Sequence, residues 1–316
     1  MKKNTLLRAV LAGFVATSAA ASYAADKPLK SVGVTVGDLA NPFFVAIGQG
    51  AEAESKKIGG TDVKVTVVSS KYDLNTQVAQ IENFIANKVD LILVNAADPK
   101  GIAPALKKAR EAGITVVAVD VGADGAAATV TSDNKAAGAA ACKYLIQALN
   151  GRGSVVVLNG PPVTAVLDRV DGCNSVIKGY KGIKVLSENQ NAGGSRDGGM
   201  NSMADILTAY PKIDGVFAIN DPTAIGAALA IKQAGRSDIR AITSVDGAPD
   251  AQQALRDKNG LFVATAAQNP YAMAAKAIDI GYALMNHQDV KQTTFLMPTP
   301  IVSKESVANY AGWVRN

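Results

Sequence analysis

The chain has 316 residues, enough for about two domains, and its 48% hydrophobic and 19% charged content excludes a disordered polyelectrolyte. The formal charge of +5 falls to +2 when a basic leader carrying Lys2, Lys3 and Arg8 is set aside, which leaves no basic stripe for nucleic acid. Two cysteines, Cys142 and Cys173, with the single histidine His287, supply no ligand set for a zinc site.

Residues 1–24 read as a signal peptide. "MKKNTLLR" is a basic start, "AVLAGFVATSAAA" is an apolar stretch too short to span a bilayer, and "SYA" ends in small residues suited to cleavage. Export to the periplasm is the expectation. No cysteine lies near the cleavage point, so no lipid anchor is expected, and no later apolar run reaches 18 residues. A soluble mature protein follows.

From Lys30 onward, short β-branched runs alternate with longer amphipathic ones. Strands are predicted at 31–36, 63–68, 90–95, 114–120, 154–159, 183–188, 215–220, 241–246 and 261–268. Helices are predicted near 42–58, 74–87, 99–112, 134–149, 165–179, 197–209, 221–234, 248–258 and 270–287. This alternation implies an α/β fold with parallel sheets covered on both faces. An internal echo divides it in two. "SVGVTVGDLANPFFVAIGQGAEAESKKIG" and "SVVVLNGPPVTAVLDRVDGCNSVIKGYKG" both read strand, Gly/Pro turn, helix, Gly. Each can open its own lobe, with the break near 128–138 and a cleft between.

The stretch "GDLANPFFVAIGQG" (37–50) places two phenylalanines at the carboxyl end of the first strand. Asn41 suits the N-cap and Pro42 the first helical position. Phe43 and Phe44 then diverge by about 100° on the helix, so at least one ring is free to face the cleft. Carboxyl ends of strands are where open α/β sheets bind ligands. Polar residues recur there: Asn95, Asp120, Asn220, Asp246 and Gln268. Singly, each reads as a cap or turn former. Together with two rings, they suit a neutral polyhydroxylated ligand, whose hydroxyls donate to carboxylates and whose C–H face stacks on a ring.

An enzyme reading would make Asp120 and Asp246 a glycosidase pair. No GxSxG, phosphate loop or nucleophile–base motif accompanies them. His287, in "MNHQD", reads as a solvated helix end, and "GGSRDGG" (193–199) as a turn capped by Ser195 or Asp197. Cys142 and Cys173 fall in separate predicted helices and read as buried unpaired thiols. Assigned to different lobes, they would oppose hinge closure if bonded.

"NPFF" (41–44), "SDN" (132–134), "ND" (220–221), "VDGAPD" (245–250) and "ATAAQNP" (264–270) resemble the ribose-binding branch of the periplasmic sugar-binding proteins, in order along the mature chain. The resemblance implies the type I periplasmic binding protein fold: two Rossmann-like lobes joined by a three-strand hinge. Residues 28–131 with 269–297 would form the N-terminal lobe, and 132–268 with 298–316 the C-terminal lobe. It implies a monomeric binding protein rather than an enzyme, with no cofactor and no metal. The lobes would close on a sugar and deliver it to an ABC-importer permease in the membrane. The alternatives are presentation of the sugar to a chemoreceptor or sensor kinase, and an exported carbohydrate-active enzyme.

The sugar contacts implied are Asn41, Phe43, Phe44, Asn95, Asp120, Ser132, Asn220, Asp246 and Gln268. Three positions depart from the pattern. Val121 stands where ribose-binding members carry an arginine after the strand-end Asp. Leu167 aligns with a second arginine, and Gly194 with an aromatic residue. Loss of two cationic donors disfavours ribose and points to another pentose, a hexose or a sugar alcohol.

Overall fold

A computed structural model describes residues 26–313. The signal-peptide expectation lies outside the described residues. In chain order, β1 (Ser31–Val36) leads through α1 (Pro42–Gly59), β2 (Lys64–Ser69), α2 (Leu74–Ala86), β3 (Leu91–Val94), α3 (Ala103–Glu111) and β4 (Thr115–Val119) to β5 (Ala128–Ser132). The chain continues with α4 (Asn134–Ala148), β6 (Gly153–Leu158), α5 (Thr164–Ile177), β7 (Ile183–Ser187), α6 (Arg196–Ala209), β8 (Gly215–Ala218), α7 (Asp221–Gln233), β9 (Ala241–Asp246), α8 (Pro249–Arg256) and β10 (Phe262–Ala267). It closes with α9 (Pro270–Met285), β11 (Thr294–Met297), β12 (Ile301–Ser303) and a 3-10 turn at Val307–Asn309.

The strands form two six-stranded sheets. Their orders are β11-β5-β4-β3-β1-β2 and β12-β10-β9-β8-β6-β7. The second repeats the first, with β6 in the place of β1, which is the physical basis of the echo between the two sequence stretches. Central β3 ("LILV") and β8 ("GVFA") are buried throughout, whereas the edge strands β2, β7 and β11 are partly exposed. Helices on both faces bury the central strands, so those strands read as continuous apolar runs.

The expectation of purely parallel sheets needs one correction. β12 pairs antiparallel with β10, while the other ladders are parallel. The strands β11 and β12 are only four and three residues long, are separated by Pro298 and Pro300, and are followed by no α-helix, so alternation did not mark them.

The chain passes between the sheets three times, at β5–α4, β10–α9 and β11–β12. These crossings are cross-linked. Asp133 N–H donates to Met297 O at 2.9 Å, and Ala267 N–H to Pro300 O at 2.8 Å. Ser132 Oγ donates to Gln268 Oε1 at 2.6 Å.

Both cysteine expectations are overturned. Cys142 on α4 and Cys173 on α5 form a disulfide, and both helices lie with the second sheet. The reason is close helix packing. A Cβ at Gly138 would lie 2.0 Å from Arg169 O, and one at Gly172 would lie 2.1 Å from Lys135 O. Only glycine lets the backbones approach this far. The approach brings the cysteine Cα atoms to 5.1 Å, well inside disulfide reach.

Candidate functional site

The carboxyl ends of both sheets converge on one cavity. Eight of the nine residues expected there line it: Asn41, Phe43, Phe44, Asn95, Asp120, Asn220, Asp246 and Gln268. The atom-free space is about 450 Å³, part of it open to a wider cleft outside. Ser132 is absent from the lining. It stands behind Gln268, whose Nε2 donates to Asp246 Oδ1 at 2.7 Å. The chain Ser132–Gln268–Asp246 thus ties a crossing to the cavity floor.

The helix caps set the aromatic wall. Asn41 Oδ1 accepts from Phe43 N–H at 3.0 Å, with Pro42 at the start of α1. Both phenylalanines are buried and both line the cavity, their rings edge-to-face with centroids 5.4 Å apart. Tyr72 joins them, 6.2 Å from Phe44. Sequence reasoning missed Tyr72, because it lies in the turn before α2 rather than at a strand end, held at φ 59°.

The polar floor comes from strand ends. Asn95 Nδ2 donates to Asp120 Oδ2 at 2.8 Å and to Val119 O at 3.3 Å. Asp120 Oδ1 is buried with no hydrogen-bond partner among the described residues. Asn220 caps α7 by accepting from Thr223 N–H, and its Nδ2 donates to Gly194 O at 2.8 Å. Asp120 and Asp246 both hold positive φ, 67° and 141°. Non-glycine residues adopt such angles only where the surroundings over-determine them, as at binding sites.

One cation enters. Arg169 is buried on α5 and donates to Asn134 Oδ1 at 2.8 Å and Ile219 O at 2.9 Å, with Asp246 Oδ1 at 3.5 Å. Leu167 is 54% exposed, while Arg169, two residues on, reaches the cavity. One guanidinium is therefore present. Val121 lines the cavity as an apolar residue, and Gly194 lines it at φ 65°.

A single arginine does not neutralise the acids. Burial pushes Asp120 up to about 6, against the pull of Arg169 and Asn95. Burial pushes Asp246 up to about 8, helped by neighbouring Asp221 and Asp120 and opposed by Arg169 and Gln268. Asp221, also buried, rises to about 6 although Ser244, Ala248 and Thr265 donate to it. Burial, helped by Asp120, Asp246 and Asp38, holds the Tyr72 hydroxyl well above its usual range. Among the described residues no group of three His, Cys, Asp or Glu side chains could hold a metal ion. The site offers hydrogen-bond acceptors, amides and ring faces.

Residues 32–289 match the family model described as "Periplasmic binding protein domain". The chain belongs to the periplasmic binding protein family. It is 31% identical over 288 residues to the xylitol-binding protein of Mycolicibacterium smegmatis, covering 90% of this chain and 80% of that one. It is 31% identical over 294 residues to the ribose import binding protein of Escherichia coli, covering 92% and 95%. A solved ABC transporter periplasmic solute-binding protein from Actinobacillus succinogenes, with D-allose bound, superposes with a TM-score of 0.80 at 31% identity, covering 90% of this chain and all of that one. The two-sheet architecture is that of the type I periplasmic binding proteins, and these relatives are binding proteins. Four of the five ribose-binding-like motifs of the sequence contribute cavity-lining residues, and the fifth, at 132–134, stands behind the cavity through Ser132.

Proposed function

We propose that this periplasmic binding protein captures a monosaccharide or sugar alcohol between two lobes that close about the crossings, and delivers it in the periplasm to an ABC-importer permease. The lobes are residues 28–131 with 269–297, and 132–268 with 298–316, acting as a monomer. Pairing of β11 with β5 and of β12 with β10 supports that division. One observation carries the reading. Asp120 Oδ1 is a buried acceptor without a partner among the described residues, in a cavity that also holds Asp246, amides and the ring faces of Phe43 and Phe44. A ligand hydroxyl satisfies that oxygen, and its C–H face covers a ring. Relatives named for xylitol and ribose, and one solved with D-allose, support the carbohydrate class. The closing motion follows the hinge repertoire of two-lobed binding proteins.

A thermal-shift screen of the mature protein against pentoses, hexoses and sugar alcohols tests it. A ligand of the folded form stabilises by about 2.7 kcal/mol at a hundredfold excess over Kd. Asp246→Ala is expected to abolish the shift while leaving the protein folded. No shift with any carbohydrate overturns the reading.

A further inference from the structure

One wall of the cavity is apolar. Val121, Val163, Ala165, Val166 and Ile219 line it, each buried, and all five belong to one continuous hydrophobic cluster. Phe43 and Phe44 belong to a different cluster. The wall is held together from both sheets. Gly122 N–H, after β4, donates to Thr164 Oγ1 at the start of α5, at 2.9 Å. Ile219 and Val166 meet over Gly160, where an added Cβ would lie 3.0 Å from Ile219 Cδ1 and 3.6 Å from Val166 Cγ1.

Four of the five backbone N–H groups here are committed, including that of Ile219 to Leu158 O. Val121 N–H bonds Val119 O, Val163 N–H bonds Pro161 O, and Val166 N–H bonds Val163 O. Arg169, one turn further along α5, is directed to Asn134, Ile219 O and Asp246. A ligand hydroxyl turned toward these side chains would leave water and meet no side-chain donor or acceptor among them, whereas carbon would gain contact. The acceptors lie elsewhere, at Asp120 Oδ1 and Asp246.

We propose that the ligand is a deoxy sugar, with a methyl group or ring CH2 in place of one CH–OH, and that Val121, Val163, Val166 and Ile219 select that carbon. The inference rests on the carbohydrate reading of the cavity and narrows it. Hydroxyl-bearing parents enter the same site with a buried hydroxyl unpaired, which an apolar pocket rejects by up to about a hundredfold.

Titration calorimetry on the mature protein tests this with matched pairs: D-galactose against D-fucose, L-mannose against L-rhamnose, and D-ribose against 2-deoxy- and 5-deoxy-D-ribose. Xylitol and ribitol are added as fully hydroxylated controls. In at least one pair the deoxy member is expected to bind about ten- to a hundredfold tighter. Val121→Thr, which adds a hydroxyl at nearly constant volume, is expected to narrow that gap, and Val163→Thr replaces it if the first variant melts early. Parents or polyols binding as tightly as the deoxy sugars overturns the inference and leaves the carbohydrate function standing. A gap unchanged in both threonine variants overturns the wall as its cause. Absence of binding by every probe removes the carbohydrate reading and this inference with it.

Discussion

Trp313 donates its indole N–H to the backbone carbonyl of Asp246 at 2.9 Å, and its ring meets Phe43 edge-on with centroids 5.8 Å apart. One side chain from the C-terminal segment therefore touches a strand end of the second sheet and the first helix after the first sheet. Tyr310 adds a second bond to the same turn, its hydroxyl donating to Gly247 O at 3.1 Å. The turn needs such support, because Asp246 and Gly247 both hold positive φ. A side chain at 247 would also collide with Tyr310, whose Oη lies 2.4 Å from the added Cβ.

Trp313→Ala removes one hydrogen bond and one aromatic pair, so a stability loss of about 2 kcal/mol is expected. Trp313→Phe keeps a ring and is expected to cost about 1 kcal/mol. Chemical denaturation gives both values. Because Trp313 is the chain's single tryptophan, its fluorescence in the wild type should also change when a sugar binds. An unchanged spectrum at saturating ligand would mean that the Phe43–Trp313–Asp246 contact is indifferent to occupancy.

Arg169 is the more severe test. Arg169→Met removes the fork that Asn134, Ile219 O and Asp246 share. Asn134 Oδ1 and Ile219 O are then left buried without this donor, and a loss of about 2–5 kcal/mol is expected. Arg169→Lys restores charge without the planar fork, so it should recover stability only in part. Full recovery by lysine would show that geometry at Asn134 and Ile219 is unimportant.

Much of this site was legible because its residues sit at strand ends. Asn95, Asp120, Asn220, Asp246 and Gln268 each follow an apolar run, and a parallel sheet gathers such ends on one edge. Three kinds of residue were hidden. Tyr72 lies in a turn with no periodic signal. Arg169 needed the helical phase of α5, which turns it into the cavity and leaves Leu167 exposed. Trp313 acts from a segment with no regular structure, through a backbone carbonyl that leaves no pattern in sequence. The disulfide was missed because cysteines on two separate helices read as buried thiols until the packing of those helices is known. The glycines that dock α4 on α5 show that both helices share one layer.

That disulfide closes a segment with a sequence separation of 31 and ties the helix that carries Arg169 to the helix that begins at Asn134. Cys142→Ser with Cys173→Ser is expected to lower stability by about 2–4 kcal/mol. Reduction of the wild type should lower its melting temperature likewise. Since both cysteines lie with the second sheet, the proposed hinge closure should survive, and ligand affinity should change far less than stability. A double-serine variant that melts with the wild type would remove the bond from the account.

The pH dependence has two opposite signs. Burial raises Asp120 and Asp221 to about 6 and Asp246 to about 8 in the folded protein, while unfolded aspartates ionise near 4. Between about pH 4 and 8 the folded state therefore binds more protons than the unfolded state, so the ligand-free protein loses stability as pH rises through that window. Its melting temperature should be higher at pH 5 than at pH 8, and Asp246→Asn should flatten the slope at its upper end. Binding runs the other way. Ligand hydroxyls donate to the ionised carboxylates, favour that form and release protons. Affinity should therefore tighten from pH 5 to pH 8 as the ligand-free stability declines. Calorimetry in buffers of different ionisation heat measures the released protons directly. A Kd constant across this range, with no proton release, would mean that Asp120 and Asp246 do not accept from the ligand.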